Sequence, residues 1–195
     1  TESWLYGGAI DQKFTESFYG GVEYTYSDLD VPFNQTIGGI TSLEEADWDE
    51  QLFRAYLFWT PHNWFSLTAE YLYEDLDRDE NINFGAKEVE THYFPLGINF
   101  FHPSGIGASL KGTYVDQDGS FTRQTAAPGT FENGDDNFWL VDAAINYRLP
   151  KRYGFLTVGA SNLFDEEFEY FDSDLNNPRI QPDRNIFARI TLAFP

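Results

Sequence analysis

Three histidines are the only side chains here with an ordinary pKa near neutrality, and none comes with a nucleophile and an orienting acid at a catalytic spacing. His62 and His102 fall in turn-like runs, Pro61-His62-Asn63 and His102-Pro103-Ser104. Ser104 lacks the Gly-x-Ser-x-Gly setting of an exposed nucleophile, and the chain has no Cys. His92 stands near Glu88 and Glu90, so a hydrolase reading would have to use it, yet alternation places it among apolar residues. The sequence therefore reads as a non-enzyme. Asp75-x-Asp77-x-Asp79 has the opening spacing of a calcium loop, although the sixth position is Glu80 instead of Gly and the twelfth Ala86 instead of Glu. A solvated acidic loop is the competing reading. No other cofactor is expected. Seven charged residues, Glu23, Arg54, Glu70, Lys111, Asp142, Arg148 and Arg189, alternate with apolar neighbours. They form either a pathway lining or a self-satisfied charge network in a wall.

The elements that carry these residues have a period of two, with almost no helical spacing. In 65–74, Phe65, Leu67, Ala69, Tyr71 and Tyr73 oppose Ser66, Thr68, Glu70, Leu72 and Glu74. The same rule predicts strands over 3–11, 18–26, 50–60, 90–101, 105–115, 137–149, 154–163 and 184–194, nine in all. Connections alternate. Short turns are predicted around 12–14, 61–63, 102–104 and 150–153, and long loops around 28–49, 75–89, 116–136 and 164–183. Acid gathers in the long loops, including Glu44, Glu45, Asp47 and Asp49, while Lys13, Lys151 and Arg152 sit in short turns. Trp59, Trp64, Phe101, Tyr147 and Tyr153 lie beside the short turns; Tyr24, Tyr26, Tyr71, Tyr73, Tyr114 and Trp139 lie toward the long loops.

Composition narrows the class further. The 195 residues hold 32 Asp+Glu against 12 Lys+Arg, a net charge of −20, which opposes nucleic-acid binding. Nineteen Phe, 12 Tyr and 5 Trp argue against disorder. No apolar run reaches the ~18 residues of a transmembrane helix, whereas membrane strands need only about ten alternating residues. Short turns at one end, long loops at the other and two aromatic belts predict an all-β, transmembrane antiparallel up-and-down β-barrel over 1–195, with no second domain. A soluble β-sandwich is the alternative fold. Nine strands conflict with the even number of single-chain bacterial barrels, so the expectation is the C-terminal portion of a larger barrel, with Thr1 on the extracellular side. The absence of an initiator Met and signal peptide fits a processed chain or a piece of a longer one.

The run Val158-Gly159-Ala160-Ser161-Asn162-Leu163-Phe164-Asp165-Glu166-Glu167-Phe168 and the ending Arg184-Asn185-Ile186-Phe187-Ala188-Arg189-Ile190-Thr191-Leu192-Ala193-Phe194 resemble the C-terminal strands of TonB-dependent outer-membrane receptors. The resemblance spans about a fifth of the chain. It implies a bacterial outer-membrane location, a solute conduit or transporter, and a final strand in which Ile190, Leu192 and Phe194 form the signal read by the barrel-assembly machinery. Pro195 departs from the pattern, in which the aromatic is terminal, and no plug domain or TonB box appears. Exopolysaccharide exporters fused behind tetratricopeptide repeats look similar at this end, and imply export. A structural or adhesive barrel with calcium-binding loops is a further alternative. The expected partners are membrane lipid, lipopolysaccharide, and the rest of the barrel or other subunits. An acidic rim would favour cations and cationic or metal-chelate solutes over anions.

Overall fold

A computed structural model describes residues 2–78, 86–121, 131–170 and 183–193. Each strand forms because apolar and aromatic residues recur at alternate positions, giving one continuous face once neighbours pair in register. The strands are β1 (Glu2–Lys13), β2 (Phe18–Ile37), β3 (Ile40–His62), β4 (Phe65–Arg78), β5 (Ala86–Phe101), β6 (Ile106–Phe121), β7 (Glu132–Arg148), β8 (Gly154–Ser161) and β9 (Asn185–Leu192). A 3₁₀ turn, Pro150–Arg152, precedes β8. All nine join one antiparallel sheet in chain order. The expected all-β, up-and-down meander is therefore present. The sheet does not close: β1 and β9 are its two edges.

The connection expected as a long loop over 28–49 is instead a hairpin. β2 and β3 stay paired to Ile37↔Ile40, and the chain reverses at Gly38 and Gly39, with φ of 60° and 83°. Two successive positive φ angles build the tight turn that suits strand twist, and glycine adopts them at no steric cost. Pro32 is tolerated because β1 pairs with β2 only as far as Glu2↔Asp30, leaving the proline on an open edge. Strand also consumes the flanks of two other expected loops, so that β4 runs to Arg78 and β6 to Phe121. The first turn falls at 14–17, where Phe14 and Thr15 both donate backbone N–H bonds to the Phe18 carbonyl.

The two faces differ in chemistry. One row runs Phe18, Trp59, Leu67, Ile98, Leu110, Ala143, Ala160, Ile186 through successive partners, and the next runs Gly20, Leu57, Ala69, Leu96, Gly112, Val141. This apolar face is open to its surroundings: Ile10 is 70% and Ile145 64% exposed. The opposite, polar face holds the largest buried side chains, among them Leu76, Val89, Tyr93, Val115 and Phe138.

Candidate functional site

All seven charged residues expected along a lumen, Glu23, Arg54, Glu70, Lys111, Asp142, Arg148 and Arg189, share the polar face. Three form a network. Arg54 donates from Nε and Nη2 to Glu70 Oε2 at 3.1 and 2.8 Å, and its Nη1 lies 3.9 Å from Glu23 Oε2. Its guanidinium also sits 4.7 Å from the Tyr56 ring centre. Tyr56 in turn reaches across β2 to donate its hydroxyl to Asp11. That path is clear because Gly21 lies beneath it; a Cβ there would come within 2.7 Å of the Tyr56 hydroxyl. One arginine thus ties three strands together and leaves two carboxylates satisfied.

A segment that the sequence marked only as a motif and the start of a long loop docks on this face. After β8 the chain turns back over the sheet through 162–170. Asn162 sits at φ 46°; its backbone N–H donates to Asp142 Oδ1, its amide nitrogen to the Glu166 carbonyl, and its amide oxygen accepts from the Glu166 N–H. Asparagine tolerates this left-handed conformation, and its side chain supplies both halves of the clasp. Asp165 then accepts from the Arg184 backbone N–H at 3.0 Å and pairs with its guanidinium at 3.2 Å, fixing the entry to β9. The Asn162-Leu163-Phe164-Asp165 run is, physically, a clasp that redirects the chain. Beyond it, Phe168 stacks on Phe138 with ring centres 4.2 Å apart, Tyr170 shares a hydroxyl bond with Tyr93, and Asp136 Oδ2 accepts from the Glu169 N–H. This strap covers the apolar cluster Tyr93, Val115 and Phe138.

A second unforeseen residue is Arg78, buried at the end of β4. It lies 3.9 Å over the Trp48 ring and donates to the Ala86 carbonyl at 2.9 Å, joining β3, β4 and β5. Burial lowers its pKa from the ordinary arginine value.

The apolar face is bounded by two sets of rings. Phe53, Tyr71, Phe94, Tyr114 and Trp139 touch in sequence across β3 to β7, with centres 4.9 to 6.1 Å apart. At the short-turn end, His62, Trp64, Phe65, Phe100 and His102 form another contact group. Phe65 to Tyr71 covers about 20 Å of strand at roughly 3.3 Å per residue. The turn histidines are thereby structural: His62 Nδ1 accepts from the Trp64 N–H, and His102 Nδ1 lies 2.7 Å from Ser104 Oγ. His92 sits in the upper ring set, with Tyr71 on Nδ1 and Glu90 on Nε2.

Beyond the upper rings the same face turns acidic. Asp28, Asp49, Asp77 and Glu88 are successive cross-strand partners, as are Gln51, Asp75, Glu90, Asp118 and Asp135. Asp75 and Asp77 therefore lie in β4 and not in a loop, while Asp79 lies outside the described residues. Among the described residues no group of three or more His, Asp or Glu is gathered to hold a metal ion. Burial, and then the charges of Glu90, Asp77, Glu88 and Asp49, raise the Asp75 pKa. A raised folded-state value means that Asp75 favours folding when protonated and loses that contribution as pH rises through it. Asp75→Asn keeps an oxygen for the Gln51 amide and removes the charge. It is expected to raise the melting temperature at pH 7, and to change it little near pH 3. Relief of like-charge pairs is worth up to ~1 kcal/mol, or about 2–4 °C at this chain length.

Of the final-strand residues, Ile190 and Leu192 lie exposed on the apolar face, and Phe194 lies outside the described residues. No protein-family model, curated protein or solved structure matches the chain.

Proposed function

We propose that this chain is part of the wall of an outer-membrane β-barrel that acts as a gated conduit for solutes, as its resemblance to TonB-dependent receptors suggests. One observation carries the reading: an exposed apolar face spans every strand, with ring-bearing side chains at both ends of the central strands and carboxylates beyond one of them. Water penalises such a face, whereas a bilayer solvates it and the aromatic edges suit its interfaces.

The open edges fit the same reading. β1 and β9 run in the same direction because they are both odd members of an antiparallel series. Antiparallel closure then needs an odd number of further strands between them, the first running opposite to β9; a second copy in the same orientation would instead set its β1 parallel to β9. We assign those strands to the rest of the barrel. Lipid and lipopolysaccharide would meet the apolar face, and the barrel-assembly machinery would read Ile190 and Leu192. The role is transport and not catalysis, with the strap of 162–170 as the gate.

The test is extraction. Membranes from cells producing the chain are washed with urea at alkaline pH. The chain is expected to stay in the pellet and to need detergent for release, and the closed barrel that contains it to conduct ions in planar bilayers. A monomer recovered in buffer without detergent would overturn the reading in favour of a β-sandwich.

A further inference from the structure

The polar face also carries a cavity of about 380 Å³, set between the strap's clasp and the short turns and lined by Thr68, Asn99, Lys111, Asp142, Ser161 and Phe187. Its size falls at the lower end of the ~300–1,000 Å³ usual for small-ligand pockets. We propose that it binds a neutral saccharide of one or two rings, an inference that takes its purpose from the conduit reading and names the solute.

The chemistry of the lining selects that class. Lys111 offers ammonium protons and has no ion-pair partner among the described residues. Asp142 accepts from the Asn162 N–H with one carboxylate oxygen, leaving the other as an acceptor at the cavity wall. Thr68, Ser161 and Asn99 each donate and accept. Vicinal sugar hydroxyls, which also do both, match this alternation, whereas an acyl chain would offer no partner to the Lys111 ammonium or to the remaining Asp142 oxygen. Phe187 supplies the flat apolar plate against which the C–H face of a pyranose packs. Its ring rests on Gly159, where a Cβ would come within 2.8 Å of the ring Cζ, so the plate is seated by a missing side chain. Charge decides between neutral and acidic sugars. Lys111 and Asp142 balance each other, and the chain's excess of 20 negative charges repels an anionic solute.

The experiment uses the chain together with the strands that close its barrel, in lipid nanodiscs, with glucose, maltose and glucuronate as probes, read by calorimetry and ligand-observed NMR. Glucose or maltose is expected to bind saturably in the millimolar range, more tightly than glucuronate. Lys111→Met and Phe187→Ala should each weaken binding about tenfold, the scale of one lost charged hydrogen bond or stacked ring. If Phe187→Ala fails to fold, Ser161→Ala with Lys111→Met carries the test. No saturable binding of either neutral sugar would overturn the proposal, and so would tighter binding of glucuronate. Conductance of the same preparation separates the two readings. Binding without conductance overturns the conduit alone, and conductance without binding overturns the pocket alone.

Discussion

Gly154→Ala is expected to unfasten the last hairpin. Gly154 opens β8 at φ 142°, and a Cβ there would lie 1.8 Å from the Thr191 carbonyl oxygen on the partner strand. Both objections fall on backbone, which cannot rotate away as a side chain can. The conformation alone costs a substituted residue about 1–3 kcal/mol. Moving β9 away from the clash also breaks ladder bonds around Gly154↔Leu192 and the bond from Leu149 N–H to the Gly154 carbonyl. A loss of roughly 3 kcal/mol corresponds to about 6–12 °C in melting temperature for a chain of this length. Gly8→Ala is the control, because nothing lies within 4 Å of its Cβ position, and it should change stability by less than ~0.5 kcal/mol. Thermal unfolding of both variants followed by circular dichroism decides the matter. Equal melting temperatures would mean that β9 adjusts freely and that the strand pairing around Gly154 is not under constraint.

The second large effect concerns the strap. Its docking rests on one ring stack worth about 0.5–1.5 kcal/mol beyond burial and on hydrogen bonds worth ~1 kcal/mol each. A sum of a few kcal/mol leaves an undocked state populated at about 0.1–10%. Such a contact is firm enough to close a path and weak enough to release it. In the proposed conduit, Phe168→Ala with Tyr170→Ala is therefore expected to raise bilayer conductance by tenfold or more. Phe138→Cys with Phe168→Cys, joined by a short bis-thiosulfonate that forms a disulfide at each cysteine with release of sulfinate, should silence the conductance until a reductant is added. The native chain has no cysteine, so the reagent has no competing target. Equal conductance in the released, free and cross-linked forms would remove the strap from any gating role.

The sheet was legible because strand side chains alternate with a period of two and apolar residues keep one phase in segments such as 65–74. The same parity put Glu23, Arg54, Glu70 and Lys111 on a common face without any knowledge of partners. The β2–β3 extension was not legible. Asp28, Asp30, Pro32 and Asn34 read as loop, yet pairing against Asp49 through Leu43 holds them as strand. The strap was hidden for a different reason. Phe168 and Tyr170 have no local periodicity, and only the approach of Phe138 and Tyr93 from distant strands gives them a place. Asn162 and Asp165 were seen as a motif, but that an amide could clasp Glu166 while a carboxylate held Arg184 became clear only with the turn in hand.

The paired ribbon beyond Trp48↔Arg78 has a consequence for crowding. Among the described residues β3 pairs with β4 only as far as Trp48↔Arg78 and β2 with β1 only as far as Glu2↔Asp30, so the end of the ribbon has no described partner strand on either side. Bare edges invite the ribbon of a neighbouring molecule to add on. Glu44, Glu45, Asp47 and Asp30 lie along this stretch, and their mutual repulsion keeps ribbons apart wherever many copies stand side by side. Replacing these carboxylates by amides would remove the guard, and neighbouring copies would then become templates for one another.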